Sequence, residues 1–510
     1  MWIGMISPVI DDLDNDGYKE LVVITQEDPS SKLYIIRHNG QIIANITTNC
    51  NINVERLFPS IINIYGDLKK EIVVPCANIT DKKMLILNYQ GNIIQEINVG
   101  LGAGGGGVYN AVVLNDINKD NSIEMIYGGW NVSGSWLVML NNQGNTLPGF
   151  PVHLENTQMS EVNTPAIGDI GNDSYKEIVV VSHDNNPATP PLTNIRVYKV
   201  NGDLLWSNHV DAIVENSPVI GDINNDGYNE IAFTSNRGVY ILDRNGDYLL
   251  ELLLSQNDLL NSQIALADLD NDNDLELIFE YDHTVYAMHH SGIQLFSYET
   301  DWAIHPPVVG DINGDGNLDI IFNSDNDVYA LDSLGNLLPD FPIPLPSIWY
   351  SSPSIGEIDN DGKIELITSA SSSSTGTIHV FEIPNIYNTS VKMEWPMFQH
   401  DPQHTGLYLD YSVQSPQYIL TANPTSGNAP LTVLFLVEGD FIVGTQFVWY
   451  FGDTTQITTT SQVQHTYHVG NYNARVRILQ PGMNPVYSNY VAINVNPAIQ
   501  PVNQSINELT

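Results

Sequence analysis

At 510 residues the chain is too long for one ordinary core of about 100–200 residues, and its 42% hydrophobic content rules out disorder of the whole. It carries 18 Lys and Arg against 59 Asp and Glu, a formal net charge of −41. That sign excludes binding to nucleic-acid phosphates and asks for cations instead, and no run reaches the ~18 apolar residues of a membrane span. The opening residues lack the basic and long apolar regions of a signal peptide, so an exported form of this chain is expected to be a mature form or a fragment.

From the first residues onward the sequence repeats itself. SPVIDDLDNDGYKELVV (7–23) returns as SPVIGDINNDGYNEIAF (217–233), HPPVVGDINGDGNLDIIF (305–322) and SPSIGEIDNDGKIELIT (352–368). Weaker copies start their acidic loop at Asn63, Asp116, Asp169 and Asp268, giving eight units at steps of 43 to 53 residues. This is the period of propeller blades. Within a unit, a Pro-apolar segment leads into the acidic loop. A β-branched run such as Glu230–Thr234 follows, then an alternating strand such as Gly238–Leu242, a turn at Asn245-Gly246 and an outer strand from Tyr248 to Leu254. The turn glycine recurs at Gly40, Gly91, Gly144, Gly202, Gly246, Gly292 and Gly335 and is absent from the eighth unit. The pattern predicts an all-β fold: an eight-bladed β-propeller, or seven blades with one copy shared in closure.

In Asp222-Ile-Asn224-Asn-Asp226-Gly227-Tyr-Asn-Glu230, oxygen side chains stand at positions 1, 3, 5 and 9, with Gly at position 6 for a sharp turn. Such a loop can surround a hard cation, and calcium takes six to eight oxygens. It is not an EF-hand, because position 12 is Phe233 and the flanks read as strands. The metal-free alternative is a set of Asx turns. Complete oxygen sets are Asp12, Asp14, Asp16, Glu20; Asp116, Asn118, Asp120, Glu124; Asp222, Asn224, Asp226, Glu230; Asp268, Asp270, Asp272, Glu276; Asp311, Asn313, Asp315, Asp319; and Glu357, Asp359, Asp361, Glu365. Tyr65 breaks the second loop and Gly171 the fourth, so six Ca²⁺ sites are expected. The eight loops hold 27 of the 59 carboxylates, and six Ca²⁺ ions would bring the net charge from −41 to −29.

Beyond the last unit, 396–415 reads as a linker containing PMFQHDPQHTG (396–406) of the stretch WPMFQHDPQHTG, 416–496 as a second all-β unit of sandwich size, and 497–510 as a polar tail. The repeated DxDxDG hairpins over residues 1–395 resemble the FG-GAP/VCBS repeats of integrin alpha-chain propellers and of many secreted prokaryotic proteins. NPTSGNAPLTVLF (423–435), WYFGD (449–453) and HTYHVGNY (465–472) resemble a PKD domain, with Thr454 where that family usually has Gly. The resemblance implies a calcium-binding extracellular propeller followed by an Ig-like sandwich used as a spacer or binding module. WPMFQHDPQHTG is similar to junction segments beside propellers of secreted proteins.

Other constellations carry less. Gly102–Gly107 fits GxGxxG, but no helix follows, so a blade loop is expected there. His400, Asp401 and His404 have a spacing that suits either a metal or hydrogen bonds docking Trp395 and Phe398 on the propeller. His289-His290 reads as a surface turn. Cys50 and Cys76 either pair or are separate core residues, and Asn-x-Ser/Thr acceptors stand at Asn45, Asn78, Asn131, Asn172, Asn388 and Asn503. No nucleophile elbow, zincin motif or Cys-His pairing is present, so no catalytic residue is assigned. The expected function is a non-enzymatic, calcium-stabilised adhesion or binding protein at the cell surface, with a surface protein or glycan as partner. The alternatives are a self-associating subunit of a surface layer, sheath or filament, and a polysaccharide lyase. The longer repeats at 100–107 and 183–194 mark the sector expected to project farthest.

Overall fold

The computed structural model describes residues 4–5, 7–27, 30–48, 58–67, 69–77, 82–99, 108, 110–131, 134–155, 161–183, 193–254, 262–301, 305–324, 326–346, 351–361, 363–371, 376–383, 393–408, 418–439, 441, 445–479, 486–488 and 491–496. The chain forms two compact units, residues 1–359 with 363–409, and residues 360–362 with 410–510. All of its described secondary structure is β.

The first unit holds eight antiparallel sheets among the described residues, one for each sequence repeat. Each has a three-residue inner strand, preceded in the first and fourth by a two-residue strand (Gly4–Met5 and Glu161–Val162): Val9–Asp11, Ser60–Ile62, Val113–Asn115, Ala166–Gly168, Val219–Gly221, Ala265–Ala267, Val308–Gly310 and Ser354–Gly356. The acidic loop follows, and the second strand starts on the loop's last acid in all eight, from Glu20 in the first sheet to Glu365 in the eighth. Second strands such as Glu230–Ser235 and Glu276–Tyr281 are buried throughout, because neighbouring sheets cover both faces. Outer strands such as Tyr248–Leu253 alternate between exposed and half-buried, so one face meets water. The core lies between successive sheets: Val22 and Ile24 of the first pack with Ile72 and Val74 of the second and Ile367 of the eighth. These are propeller-like blades.

The recurrent glycine closes the hairpin between third and fourth strands as a turn followed by a bulge, with φ between +81° and +86°. It also lets sheets stack. A Cβ on Gly335 of the seventh sheet would come 2.5 Å from Phe296 of the sixth, and one on Gly91 of the second would come 2.5 Å from Ile46 of the first. At Gly40 of the first sheet a Cβ would meet nothing within 4 Å, and the eighth sheet has three strands among the described residues.

Of the expected linker 396–415, residues 396–408 are built into the first unit, continuing a segment that starts at Met393. Met393–Trp395 pairs with the inner strand of the seventh sheet, and the carbonyl of Pro396 accepts from Ile355 N of the eighth (2.9 Å). Met397 packs into the core of the first and second sheets. The carbonyls of Pro402, Gln403, Thr405 and Gly406 then accept from Ile61, Leu114, Ile167 and Ile220, the middle residues of the next four inner strands, at 2.8–3.1 Å. The segment thus visits the sheets in order. Its two ends meet at the sixth, where the Glu394 carboxylate accepts from Asp268 N (2.8 Å) and from the Tyr408 hydroxyl (3.0 Å). Inner-strand N–H groups that would otherwise be stranded away from water are satisfied this way. Its turns use left-handed Gln399, His400, His404 and Gly406, a conformation with no periodic signature in sequence.

The second unit has a three-stranded sheet of Ile419–Asn423, Leu431–Glu438 and Gln462–Tyr467, and a six-stranded sheet built around Gly470–Leu479. Their inner faces share one core of Phe435, Phe451, Tyr467, Trp449 and Val476. Gly452 (φ +86°) supplies the left-handed residue of the turn after Trp449-Tyr450-Phe451, so Thr454 is tolerated where the resembled family has Gly. The Tyr467 hydroxyl donates to the Phe451 carbonyl (3.0 Å), and His465 stacks on Phe451 while bonding Asp453.

Candidate metal centres

Six of the acidic loops, the first and the third to seventh, share one hydrogen-bonded turn. The first-position carboxylate accepts from the amides of positions 5 and 6, as Asp222 does from Asp226 (2.9 Å) and Gly227 (2.9 Å). The position-5 carboxylate accepts from the amide of position 7, as Asp226 does from Tyr228 (3.0 Å). The last acid turns back to the amide of position 2 in all eight loops, at 2.8 to 3.2 Å, from Glu20 on Leu13 to Glu365 on Ile358. Position 6 is left-handed, at Gly17, Gly227 and Gly316 but equally at Asn121, Ser174 and Asn273. Position 4 is left-handed as well, at Asn15, Lys119, Asn172, Asn225 and Asn271, a requirement that Asn meets well and that the ligand-spacing pattern does not reveal. The Asx-turn reading and the ligand reading therefore describe the same loops.

Side chains separate the loops. Asp12, Asp14 and Glu20 each bring one oxygen within 4.8 Å of the others, as do Asp268, Asp270 and Glu276, and Glu357, Asp359 and Glu365. Asp16 and Asp272 lie at exposed loop positions, as does Asp361. In the first and sixth loops, Oδ1 of Asp14 and Oε1 of Glu20 and Glu276 are buried and accept no hydrogen bond. A buried carboxylate oxygen without a partner is costly, and a hard cation is the group that would satisfy it. In the third and seventh loops, Asn118 and Asn313 donate instead to Oε1 of Glu124 and Oδ1 of Asp319 (3.1 Å each). Ligation there needs the amide turned to offer oxygen. Asp116 with Asp120, and Asp311 with Asp315, keep the loop turns. In the second loop Tyr65 leaves the concavity and its hydroxyl donates to Gln95 (2.8 Å). In the fourth, Gly171 contributes only its amide, to Glu177 (3.0 Å).

Burial, reinforced by neighbouring carboxylates, pushes the last acids far above the usual carboxylate range: Glu20, Glu230 and Glu276 to about 8, Glu71, Glu124 and Asp319 to about 7. Asp14, Asp222, Asp268 and Asp311 are raised for the same first cause, burial. A divalent ion would reverse these shifts.

The other candidates fall into place. His404 sets Nε2 on the Pro59 carbonyl (3.0 Å) and Nδ1 on that of Phe398 (3.2 Å). Asp401 accepts from the amides of Gln403 and Thr405 (3.0 Å each). Both belong to the hydrogen bonding of the 393–408 segment. Gly102–Gly107, residues 184–192 of the long insertion, Cys50, Asn78, Asn388 and Asn503 lie outside the described residues. Cys76 is buried and disulfide-bonded.

Residues 311–368, spanning the seventh loop to the second strand of the eighth sheet, match the family model described as an FG-GAP-like repeat. No curated protein matches the chain. Among solved structures the chain is similar to the biofilm matrix protein Bap1 of V. cholerae, at 12% identity over 75% of this chain and 88% of that one, with a TM-score of 0.42. It is also similar to a protein of unknown function from Bacteroides caccae, at 14% identity over 52% of this chain and 92% of that one, with a TM-score of 0.30. The first unit is thus an array of propeller-like antiparallel sheets that carries an FG-GAP-like repeat.

Proposed function

We propose that the first unit is a closed, eight-bladed, calcium-stabilised propeller, followed by a PKD-like sandwich, and that the protein works outside the cell as a non-enzymatic binding or adhesion protein. Closure is supported by bonds joining the eighth sheet to the first: Ser352 N to Ser7 Oγ (2.7 Å), Ser354 Oγ to the Pro8 carbonyl (2.6 Å) and Lys19 N to the Ile358 carbonyl (2.9 Å). The circuit of residues 393–408 supports it independently.

The observation that carries the calcium reading is the partnerless buried oxygen of Glu20 and Glu276, each in a cluster of three carboxylates. Such modules hold calcium at about 10⁻⁴–10⁻³ M, the range found outside cells. A disulfide-bonded Cys76 suits the same oxidising setting. Carboxylates serving a metal stay ionised and are lost to acid catalysis. The partner is a surface protein or a glycan.

The test uses the purified full chain on a panel of neutral and acidic polysaccharides, with calcium or EDTA. Calcium-dependent binding with the polymer left uncut is expected. Cleavage of an acidic polysaccharide would overturn the non-enzymatic reading in favour of a lyase. Calcium-driven growth of a regular polymer in sedimentation would favour the surface-layer subunit.

A further inference from the structure

Outside the oxygen positions of the loops, the sixth sheet brings three other ligand side chains together. His289 and His290 stand at the hairpin turn between its third strand, Thr284–Met288, and its fourth, Gln294–Glu299. Asp274, at position 7 of the sixth acidic loop, reaches them across the sheet end. Its Oδ2 lies 3.4 Å from His289 Nε2 and 3.2 Å from His290 Nδ1, and all three ligand atoms fall within 4.8 Å of one another. The side chains are about a quarter exposed, which leaves an approach for solvent.

The geometry points to a second kind of metal site here, one for a divalent transition ion of the zinc class held by Asp274, His289 and His290. Two imidazole nitrogens with one carboxylate oxygen are a donor set that such ions prefer and that calcium does not. Neighbouring ligands of a tetrahedral ion with bonds of about 2.0–2.1 Å stand about 3.3 Å apart, so the two observed separations need little adjustment. The fourth position opens to water.

The surroundings hold the ligands in place. The Asp274 amide donates to Asp272 Oδ1 (2.9 Å), which fixes its backbone. His289 N donates to the Ile293 carbonyl (3.0 Å) and Gly292 N to the His289 carbonyl (2.9 Å), which fixes the turn. Ser291 Oγ lies 2.7 Å from His289 Nδ1 and can accept the proton that ring keeps when Nε2 binds a metal. The Ser291 amide also approaches Nδ1 (3.2 Å), so the ring changes tautomer on loading. A bound ion would pin the outer hairpin to the acidic loop. The site uses none of the loop's calcium ligands and stands whether or not the loops hold calcium.

The full chain, stripped with EDTA and returned to millimolar calcium to occupy hard-oxygen sites, is titrated with Zn²⁺ by calorimetry. Co²⁺ serves as a spectroscopic probe of nitrogen ligation. Uptake of a single Zn²⁺ equivalent is expected, lost in the His289→Ala/His290→Ala double variant and weakened at least tenfold in Asp274→Asn. The thermal melt of each variant in calcium without zinc, unchanged from the parent, checks folding. Should the double variant fail that check, His290→Asn alone is used. Zinc uptake unaltered by these substitutions, or no uptake by the parent protein, would overturn the assignment.

Discussion

Calcium loading should expel protons, and the structure sets how many. At pH 7 a carboxyl with a pKa of about 8, as at Glu20, Glu230 and Glu276, is about 0.9 protonated in the metal-free fold. Glu124 and Asp319, near 7, are about half protonated. Calcium binds the ionised form, so filling the first, fifth and sixth loops should release about 0.9 proton each, and the third and seventh about 0.5 each. Calorimetry at pH 7 in two buffers of different ionisation enthalpy measures that release directly. Below pH 8, affinity at the first, fifth and sixth loops should rise nearly tenfold per pH unit. The sign for stability is the reverse of an ordinary paired carboxylate. The folded metal-free protein binds more protons than the unfolded chain, whose glutamates titrate near 4.5. Its stability should therefore fall as pH rises from about 4.5 to about 8, and saturating calcium should remove that fall. Binding enthalpies identical in both buffers would refute the placement of these acids as ligands.

Three further outcomes follow from particular side chains. Glu276→Gln should remove a calcium site from the titration stoichiometry, whereas Glu71→Gln, in the loop that Tyr65 has left, should not. Trp395→Ala, emptying a buried indole of the 393–408 segment, should cost about 3–5 kcal/mol in denaturant unfolding. Gly335→Ala drives a methyl into Phe296 as well as straining a left-handed turn, and should cost about 1–3 kcal/mol more in thermal melts than Gly40→Ala, where only the turn strain applies.

The sheets were readable because their determinants are local. Each of the first seven repeats carries its loop acids, its β-branched second strand and its turn glycine within about fifty residues, the eighth lacks only the glycine, and the sheets follow that order. The departures of Tyr65 and Gly171 were legible too, since neither places a carboxylate or amide oxygen at position 3, and the structure turns Tyr65 to Gln95 and leaves Gly171 only its amide. What escaped was non-local. WPMFQHDPQHTG has no alternation because its carbonyls serve a different sheet at nearly every step, so it resembles a linker until its partners are known. The meeting of Asp274 with His289 and His290 depends on how one hairpin folds back over its own loop, which spacing along the chain does not encode. Nor does a Gly rule for position 6 foresee Ser174 or Asn273 in the same conformation.

The hydrogen-bond circuit of residues 393–408 has a consequence for the order of assembly. The inner strands of the second, third, fourth and fifth sheets are made early in synthesis, yet the carbonyls that receive Ile61, Leu114, Ile167 and Ile220 are made about 190 to 340 residues later. Until then the nascent sheets hold edges ready to pair with any exposed strand. Completion of the first unit is thus tied to a segment at its own C-terminal end. Its folding should be dominated by a late, long-range step, slowed by the loop-closure entropy of the sequence separation it must span.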